Sequence, residues 1–289
     1  MTTAVATAPP ADTGGTRVKG RINYLGGLFG WIWLAIIILP IYYIVVTSLK
    51  NQGDYFTSNP LSLPIPPTVT AYQQVIDAGI GRYFANSVIV TVGTVVPVLL
   101  FSFLASYAIV RGNSRFLRYS RGLFLFGLAI PLQATIIPIY LIITKIHMYD
   151  TLGALILPSI AFGIPLSVLI LSTFLRDVPK ELFESMRMDG CTEWQMAWRL
   201  AFPLTRPAIV TVAIYTGLNV WNGFLFPLIL TQSPDKRVMP LALWAFQGEY
   251  SVNIPAVLAA VVLSTVPILV LYVVGRRQLL SGLTAGFGK

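Results

Sequence analysis

The chain has few charged residues, one cysteine and one histidine. Asp, Glu, Lys and Arg make up 11% of its 289 residues, whereas soluble domains carry about 25%. Hydrophobic residues account for 55%, and the mean hydropathy is +0.74. A single cysteine also excludes an internal disulfide. This composition excludes an ordinary soluble enzyme, a disordered chain and a disulfide scaffold, and it predicts a membrane protein with several spans.

Side chains for familiar catalytic and metal sites are equally scarce. His147 is the one histidine, and Cys191 is distant from it in the sequence. Neither a zinc site nor a Ser-His-Asp or Cys-His constellation is therefore predicted. No G-x-x-x-x-G-K-[ST] phosphate loop occurs, so the chain is not expected to be an ATPase of that type. We predict no catalytic residue, no metal ligand and no cofactor bound by this chain.

Six charge-free runs are long enough to cross a bilayer, which takes about 20 mostly apolar residues. The first run is too long for a signal-peptide core and is predicted to remain as a span. The spans hold no ionisable residue well inside the apolar zone, which weighs against a proton-coupled carrier. The predicted helices cover residues 24–48, 85–110, 122–144, 152–175, 207–230 and 254–275.

The positive charges are divided unevenly between the two sides of this predicted bundle. Fifteen of the 20 Lys and Arg residues lie in the N-terminal segment, the 111–121 and 176–206 loops and the C-terminal segment. Because cytoplasmic loops are enriched in Lys and Arg, both termini are predicted to be cytoplasmic. The same division explains the net charge of +9, so no nucleic-acid partner is predicted. Residues 1–20 are predicted to be a disordered tail, and residues 21–289 the transmembrane domain.

A few uncharged polar side chains interrupt the apolar spans. Gln133 lies in the third span, and Asn219, Trp221 and Asn222 lie in the fifth. Asn219 and Asn222 are three residues apart and share a helix face. They either hydrogen-bond to neighbouring helices or line a pathway, where amides would bind sugar hydroxyls and the indole would contact the sugar ring.

The loop at 176–206 has the pattern of a helix–turn–helix. Pro179 suits a first helical position, and Gly190 is typical of a helix terminator. Thr192 and Gln195 have the spacing of a capping box, which predicts that a second helix starts there. Pro203 is predicted to end that helix before the fifth span.

One face of this loop is apolar, with Leu182, Phe183 and Met186 at helical spacing and Trp194 and Trp198 four residues apart. Two interpretations of that face stay open. The face either packs on the ends of the spans, or it docks in the groove of a partner subunit.

The loop resembles the EAA loop of ATP-binding-cassette importer permeases, whose pattern is Glu-Ala-Ala, three residues, Gly, nine residues, Ile-x-Leu-Pro. Glu184-Ser-Met186 stands at Glu-Ala-Ala, and Gly190 follows at the family's spacing after Asp189. Leu200, Phe202 and Pro203 match the end of the pattern. The departures are Ser185 and Met186 for the two alanines and Phe202 for leucine.

Further segments, in order along the chain, are similar to the shorter six-span permease of maltose-type sugar importers. They are the runs 39–50 and 136–140, Asn86-Ser87, Trp221-Asn222, residues 247–250 and residues 282–286. The resemblance covers nearly the whole chain from about residue 24. It implies an all-α membrane protein with six transmembrane helices and a cytoplasmic coupling loop, located in the cell membrane.

The resemblance also implies partners. They are a second homologous permease subunit, two ATPase subunits that bind ATP and Mg, an extracytoplasmic sugar-binding protein, the carbohydrate and membrane lipid. The residues implied in coupling to the ATPase are Glu181, Leu182, Phe183, Glu184, Met186, Asp189 and Gly190. Those implied in contact with the binding protein are Gly248, Glu249, Tyr250, Ser251 and Asn253.

The implied function is carbohydrate import driven by ATP hydrolysis on the partner subunits, with this chain as a non-catalytic permease. ATP binding would move the coupling loops and turn the spans from inward-facing to outward-facing. The alternative is a stand-alone secondary carrier for a small polar solute. Such a carrier needs a binding site completed within one chain, preferably with internal repeats, and neither is apparent.

Overall fold

The computed structural model describes residues 24–242, 246 and 252–285, with side chains through residue 270 and at residues 272 and 273. The predicted tail at 1–20 lies outside the described residues. The chain divides into one unit up to Tyr42 and a second from Tyr43 onward. The first seven helices are α1 (Tyr24–Ser48), α2 (Gln52–Thr57), α3 (Thr70–Asp77), α4 (Ile80–Arg111), α5 (Arg115–Gly127), α6 (Ile136–Lys145) and α7 (Leu152–Arg176). The others are α8 (Lys180–Met188), α9 (Glu193–Met196), α10 (Phe202–Leu204), α11 (Arg206–Trp221), α12 (Leu225–Leu230), α13 (Met239–Ala242) and α14 (Ile254–Ala285).

Three of the predicted spans are confirmed as long apolar helices. They are α1, α4 and α7, and within the described residues the number of spans rises to five if each of two bent helix pairs is one span. In addition, α14 contributes a shorter apolar stretch at Ile254–Val270. This helix continues to Ala285, ten residues beyond the predicted end at 275.

The prediction of one continuous third span at 122–144 is wrong. Here α5 and the following helical segment, Leu132–Lys145, meet at an angle of 97°. The break precedes Pro131, whose backbone is extended. Proline has no N–H to donate and disfavours helical geometry for the residue before it. A 3₁₀ turn at Leu132–Thr135 then leads into α6.

The prediction of one continuous fifth span at 207–230 is also wrong. The helix α11 ends at Trp221, and α12 begins at Leu225. Pro227 lies in the first turn of α12, where a backbone N–H has no helical partner, so proline is tolerated there. In a continuous helix, Pro227 would instead leave the carbonyl of Gly223 without its donor.

The second unit is built on the packing of α4 against α7, with α11 alongside both helices. Small residues allow this close approach, as is common between membrane helices. A Cβ added to Gly163 of α7 would lie 2.9 Å from Val98 Cγ2 on α4 and 3.6 Å from Thr216 Cγ2 on α11. Ser106 Oγ also donates a hydrogen bond of 3.1 Å to the Val168 carbonyl, so a polar contact joins the same two helices.

We expect Gly163→Ala to lower the free energy of unfolding by about 1–3 kcal/mol, because Val98 is stiff at χ1 and cannot move aside. Gly93→Ala is the matched control, since its added Cβ would meet the flexible tip of Ile156, Cδ1, at the same 2.9 Å. The measurement is the midpoint of thermal unfolding in detergent. Equal shifts in the two variants would contradict the proposed crowding at Gly163.

Candidate functional site

The 176–206 loop forms the predicted helix–turn–helix, which here means residues 180–204. Pro179 lies just before α8, at the N-cap position, and not at the first helical position. Gly190 has a φ of +78°, the left-handed conformation that glycine adopts without strain. The amide of Gly190 donates to the Arg187 carbonyl and that of Cys191 to the Met186 carbonyl, both at 3.0 Å. These two bonds form a Schellman motif, which confirms the predicted end of the first helix.

The second half of the helix–turn–helix starts at the predicted capping box. The Gln195 amide donates to Thr192 Oγ1 at 3.3 Å, and the Thr192 amide donates to Gln195 Oε1 at 2.8 Å. The chain stays helical through a π-helical turn at Ala197–Ala201 and through Pro203 to Leu204. Pro203 does not end the helix as predicted, and the direction changes at Thr205, where the two helical segments meet at 74°.

The inner face of the helix–turn–helix packs on the ends of α4 and α7. Phe183 is 1% exposed and shares a cluster with Phe103, Tyr107 and Leu175. Met186 packs at the edge of the same cluster. The structure therefore places Phe183 on the inner face, although the resemblance implied that it contacts a partner. Spacing alone could not separate the two faces, because Leu182 and Phe183 are adjacent and both apolar.

The outer face combines exposed apolar and acidic side chains. Leu182 is 41%, Met188 88% and Trp194 62% exposed. Glu181, Glu184, Asp189 and Gly190 are exposed on the same helix and turn. Met188 was not predicted as part of this surface, although it lies four residues after Glu184 and so on the same helix face.

Two contacts attach the helix–turn–helix to the end of α4. The Arg111 guanidinium carbon lies 4.0 Å from the centroid of the Phe183 ring, and the Tyr107 hydroxyl donates to Glu193 Oε2 at 2.8 Å. Glu193 also pairs with Arg187 at the end of α8. Partial burial raises the pKa of the Glu193 carboxyl, but these hydrogen bonds and the charges of Arg187 and Arg111 outweigh it, so that the pKa lies below its ordinary value. Glu193 is therefore a carboxylate at neutral pH.

A cavity of about 500 Å³ lies within the second unit, between the two broken spans. Both breaks contribute to its wall, through Leu128 and Ile130 after α5 and through Gly223 and Phe224 after α11. Irregular backbone at membrane depth is tolerated only where it is buried in protein or lines a cavity. The described lining includes no charged residue. Its polar side chains and larger rings are Gln133, Ser159, Phe162, Tyr215, Thr216, Asn219, Phe224 and Phe226.

Two of the four predicted pathway residues reach this cavity, Gln133 and Asn219. Asn219 Nδ2 donates to the Tyr215 carbonyl at 2.8 Å, which leaves Oδ1 to accept from a ligand. Ser159, Phe162 and Tyr215 were missed, because serine and aromatic residues are also ordinary in packed spans.

The other two predicted pathway residues, Trp221 and Asn222, do not line the cavity. Trp221 is 6% exposed, donates from Nε1 to the Ser264 carbonyl at 3.3 Å, and packs edge-on against Phe84. Asn222 follows the last residue of α11, and its Nδ2 donates to the Leu218 carbonyl at 2.9 Å. Asn222 is the C-cap of α11 and lies within one helical turn of Asn219, but only Asn219 reaches the cavity.

At the opposite end, predicted to be extracytoplasmic, a strap at 230–239 is tied to two helices. Asn86 Nδ2 on α4 donates to the carbonyls of Asp235 and Arg237, both at 2.8 Å. Asp150, which precedes α7, accepts from the amides of Gln232 and Ser233 and from the Ser233 hydroxyl. Burial alone would raise the pKa of the Asp150 carboxyl. The hydrogen bonds from these donors and the charge of Lys236 have the larger, opposite effect, so the pKa lies below its ordinary value. The strap is therefore held rigidly to α4 and α7.

Of the residues implied in contact with a binding protein, Gly248, Glu249, Tyr250 and Ser251 lie outside the described residues. Asn253 is described. Its Nδ2 donates to Gln74 Oε1 at 2.9 Å, and its Oδ1 accepts from the Ala256 amide at 3.2 Å. Asn253 therefore caps the start of α14 and ties it to α3. Across the described part of the chain, no three His, Cys, Asp or Glu side chains are grouped as metal ligands.

Gly190→Ala is expected to destabilise the helix–turn–helix by about 1 kcal/mol, because a left-handed conformation is costly for alanine. An added Cβ would meet nothing within 4 Å, so the backbone is the sole cause. Gly122→Ala in α5 is the control, since its Cβ also meets nothing and its φ is not positive. Limited proteolysis at residues 180–204 measures the difference, and equal cleavage in both variants would contradict it.

Residues 99–279 match the family described as "Binding-protein-dependent transport system inner membrane component". The chain is 37% identical over 259 residues to a putative ABC transporter permease protein, ORF2, of Caldicellulosiruptor sp. strain Rt8B.4, covering 90% of this chain and 94% of that protein. It is 31% identical to the diacetylchitobiose uptake system permease protein NgcG of Streptomyces coelicolor, covering 88% and 85%. It is 30% identical to the arabinooligosaccharides transport system permease protein AraQ of Halalkalibacterium halodurans, covering 89% and 93%.

The fold is similar to that of a chain in the crystal structure of a bacterial ABC transporter involved in the import of the acidic polysaccharide alginate. The TM-score is 0.76 at 22% identity, covering 89% of this chain and 97% of that one. The family match over residues 99–279 agrees with the broken spans and the helix–turn–helix. The chain therefore belongs to the family of binding-protein-dependent transport system inner membrane components, the permease subunits of ATP-binding-cassette importers.

Proposed function

We propose that this permease imports an uncharged carbohydrate, delivered by an extracytoplasmic binding protein, with a second homologous permease subunit and two ATPase subunits. The chain itself is non-catalytic, and ATP and Mg bind to the ATPase subunits. It crosses the cell membrane six times, with both termini and the helix–turn–helix in the cytoplasm. The naming of relatives for diacetylchitobiose and arabinooligosaccharide transport supports a sugar as the substrate.

The observation that carries the proposal is the outer face of the helix–turn–helix. Leu182, Met188 and Trp194 expose apolar surface beside the acidic Glu181 and Glu184. An amphipathic helix of this kind fits an apolar groove with basic side chains at its rim. The inner face packs on the ends of α4 and α7, and we propose that the exposed outer face is the one that docks on the partner.

The cavity supports an uncharged substrate. A buried charge on the substrate would need a partner to offset its loss of hydration, and the described lining supplies none. Amide and hydroxyl groups of Gln133, Asn219 and Ser159 suit sugar hydroxyls, and Phe162 and Tyr215 offer aromatic faces to the apolar side of a sugar ring. The cavity is completed by the companion permease.

Import follows from coupling between two distant sites. ATP binding closes the ATPase dimer and shifts the docked helix–turn–helix, and the spans change from inward-facing to outward-facing. Each site can influence the other only if a two-state element connects them. Sugar then passes from the binding protein to the cavity, and ATP hydrolysis resets the spans.

Reversing the charge of the docking face tests the proposed partner. We expect Glu184→Lys, and separately Leu182→Asp, to reduce co-purification of the ATPase at least tenfold. Arg118→Glu on α5 is the control, because it also reverses an exposed charge but lies outside the helix–turn–helix. If the wild-type chain retains no ATPase but transports sugar when reconstituted alone, the stand-alone carrier replaces this proposal.

The cavity is tested by sugar uptake in cells that express all the subunits, screened with a panel of neutral and anionic saccharides. We expect transport of a neutral sugar, and a decrease of about tenfold on Asn219→Ala or Tyr215→Ala from loss of one or two ligand contacts. Asn222→Ala is the matched control, since this amide lies outside the cavity lining. Equal decreases for Asn219 and Asn222, or import of anionic sugars alone, would contradict the assignment.

A further inference from the structure

The cytoplasmic end of α4 presents two side chains to the helix–turn–helix. Tyr107 and Arg111 are four residues apart and so lie on one helix face. The Tyr107 hydroxyl bonds to Glu193, the first residue of α9, and the Arg111 guanidinium lies over the ring of Phe183 in the middle of α8. The pair Arg187–Glu193 joins the two short helices to each other. One helix end therefore contacts both halves of the helix–turn–helix.

We infer that Tyr107 and Arg111 are positioning residues that make the helix–turn–helix move together with α4, and so transmit movement between the ATPase and the cavity. This inference rests on the proposed function. It assigns the transmission within this chain to α4, and not to the chain connections at residues 177–179 and at Thr205.

The two contacts are suited to hold the helix–turn–helix firmly against the end of α4. Tyr107 is 8% exposed, so its hydroxyl bonds to a carboxylate in a partly water-excluded position, where such bonds are strong. Arg111 Nε is buried without a hydrogen-bond partner among the described residues, and the face of Phe183 stabilises the cation instead. Phe183 is itself enclosed, so the ring cannot turn away from Arg111.

The position of α4 suits transmission. Its 32 residues form one helix about 48 Å long. Asn86 near the outer end holds the strap at 230–239, Val90 lines the cavity, and Tyr107 and Arg111 hold the helix–turn–helix. A displacement at either end can therefore be communicated to all three places along one continuous helix, which includes Pro97.

The reactivity of Cys191, the chain's single cysteine, reports whether the helix–turn–helix is held against the end of α4. This residue lies at the turn between α8 and α9, half-buried against the same cluster as Phe183. The experiment measures its rate of modification by a maleimide, by mass spectrometry of the Cys191 peptide, in the complex with the companion permease and the ATPase. The same preparations give the stimulation of ATP hydrolysis by the sugar-loaded binding protein.

We expect Tyr107→Phe and Arg111→Gln each to raise the modification rate about fivefold and to lower the stimulation of hydrolysis. Arg111→Lys keeps a cation over the ring and should recover part of both. Glu193→Gln removes the negative charge that strengthens both the Tyr107 bond and the pair with Arg187. In combination with Tyr107→Phe it should add only the part that is due to Arg187. Tyr119→Phe and Arg118→Gln on α5 are the matched controls.

Wild-type modification rates in Tyr107→Phe, Arg111→Gln and Glu193→Gln would overturn the inference. Faster modification with unchanged stimulation would also overturn it, because the contacts would then support local structure without transmitting movement. Loss of the ATPase from the wild-type complex would refute the proposed function instead. The modification rates would still decide whether α4 holds the helix–turn–helix.

Discussion

Inside a bilayer, every backbone N–H and C=O must find a partner within the protein. This constraint decides where the chain is regular and where it is not. The helices α1, α4 and α7 keep regular helical backbone along 25 residues or more, although each contains at least one proline. The two breaks, before Pro131 and after Trp221, occur where the chain borders a cavity of about 500 Å³. The irregular segments are thus concentrated at the place where a polar substrate would need access to polar groups.

The close packing of α4 and α7 provides the rigid frame for these irregular segments. Gly163 allows the two helices to approach, and Ser106 adds a hydrogen bond between them. Because packed interfaces between helices are bistable and not continuously deformable, such a frame is suited to switch between two arrangements. Its ends are held by polar contacts: Asn86 and Asp150 hold the strap on one side, and Tyr107 and Arg111 hold the helix–turn–helix on the other.

The helix–turn–helix has two sides of different character. Its inner side is ordinary core, centred on Phe183, and its outer side exposes Leu182, Met188 and Trp194 beside acidic residues. A helix that only docked on a partner would transmit little, and one that only packed on the spans would have no surface to offer. The Schellman motif at Gly190 and the capping box at Thr192 keep the two sides in fixed register.

The sequence by itself determined the membrane class, the long helices α1, α4 and α7, the caps of the helix–turn–helix and the family. These features depend on local composition and spacing, and the physics of each acts within a few turns of one helix. Tertiary structure alone decided the bends in the third and fifth spans, because a proline in a membrane helix is tolerated or breaks the helix according to what satisfies the freed carbonyl. It also decided that Asn219 lines the cavity while Trp221 is buried, and that Phe183 faces inward while Leu182 faces outward. In each case residues close together in the sequence are separated by the neighbours that other helices bring to them, and no single stretch of sequence contains that information.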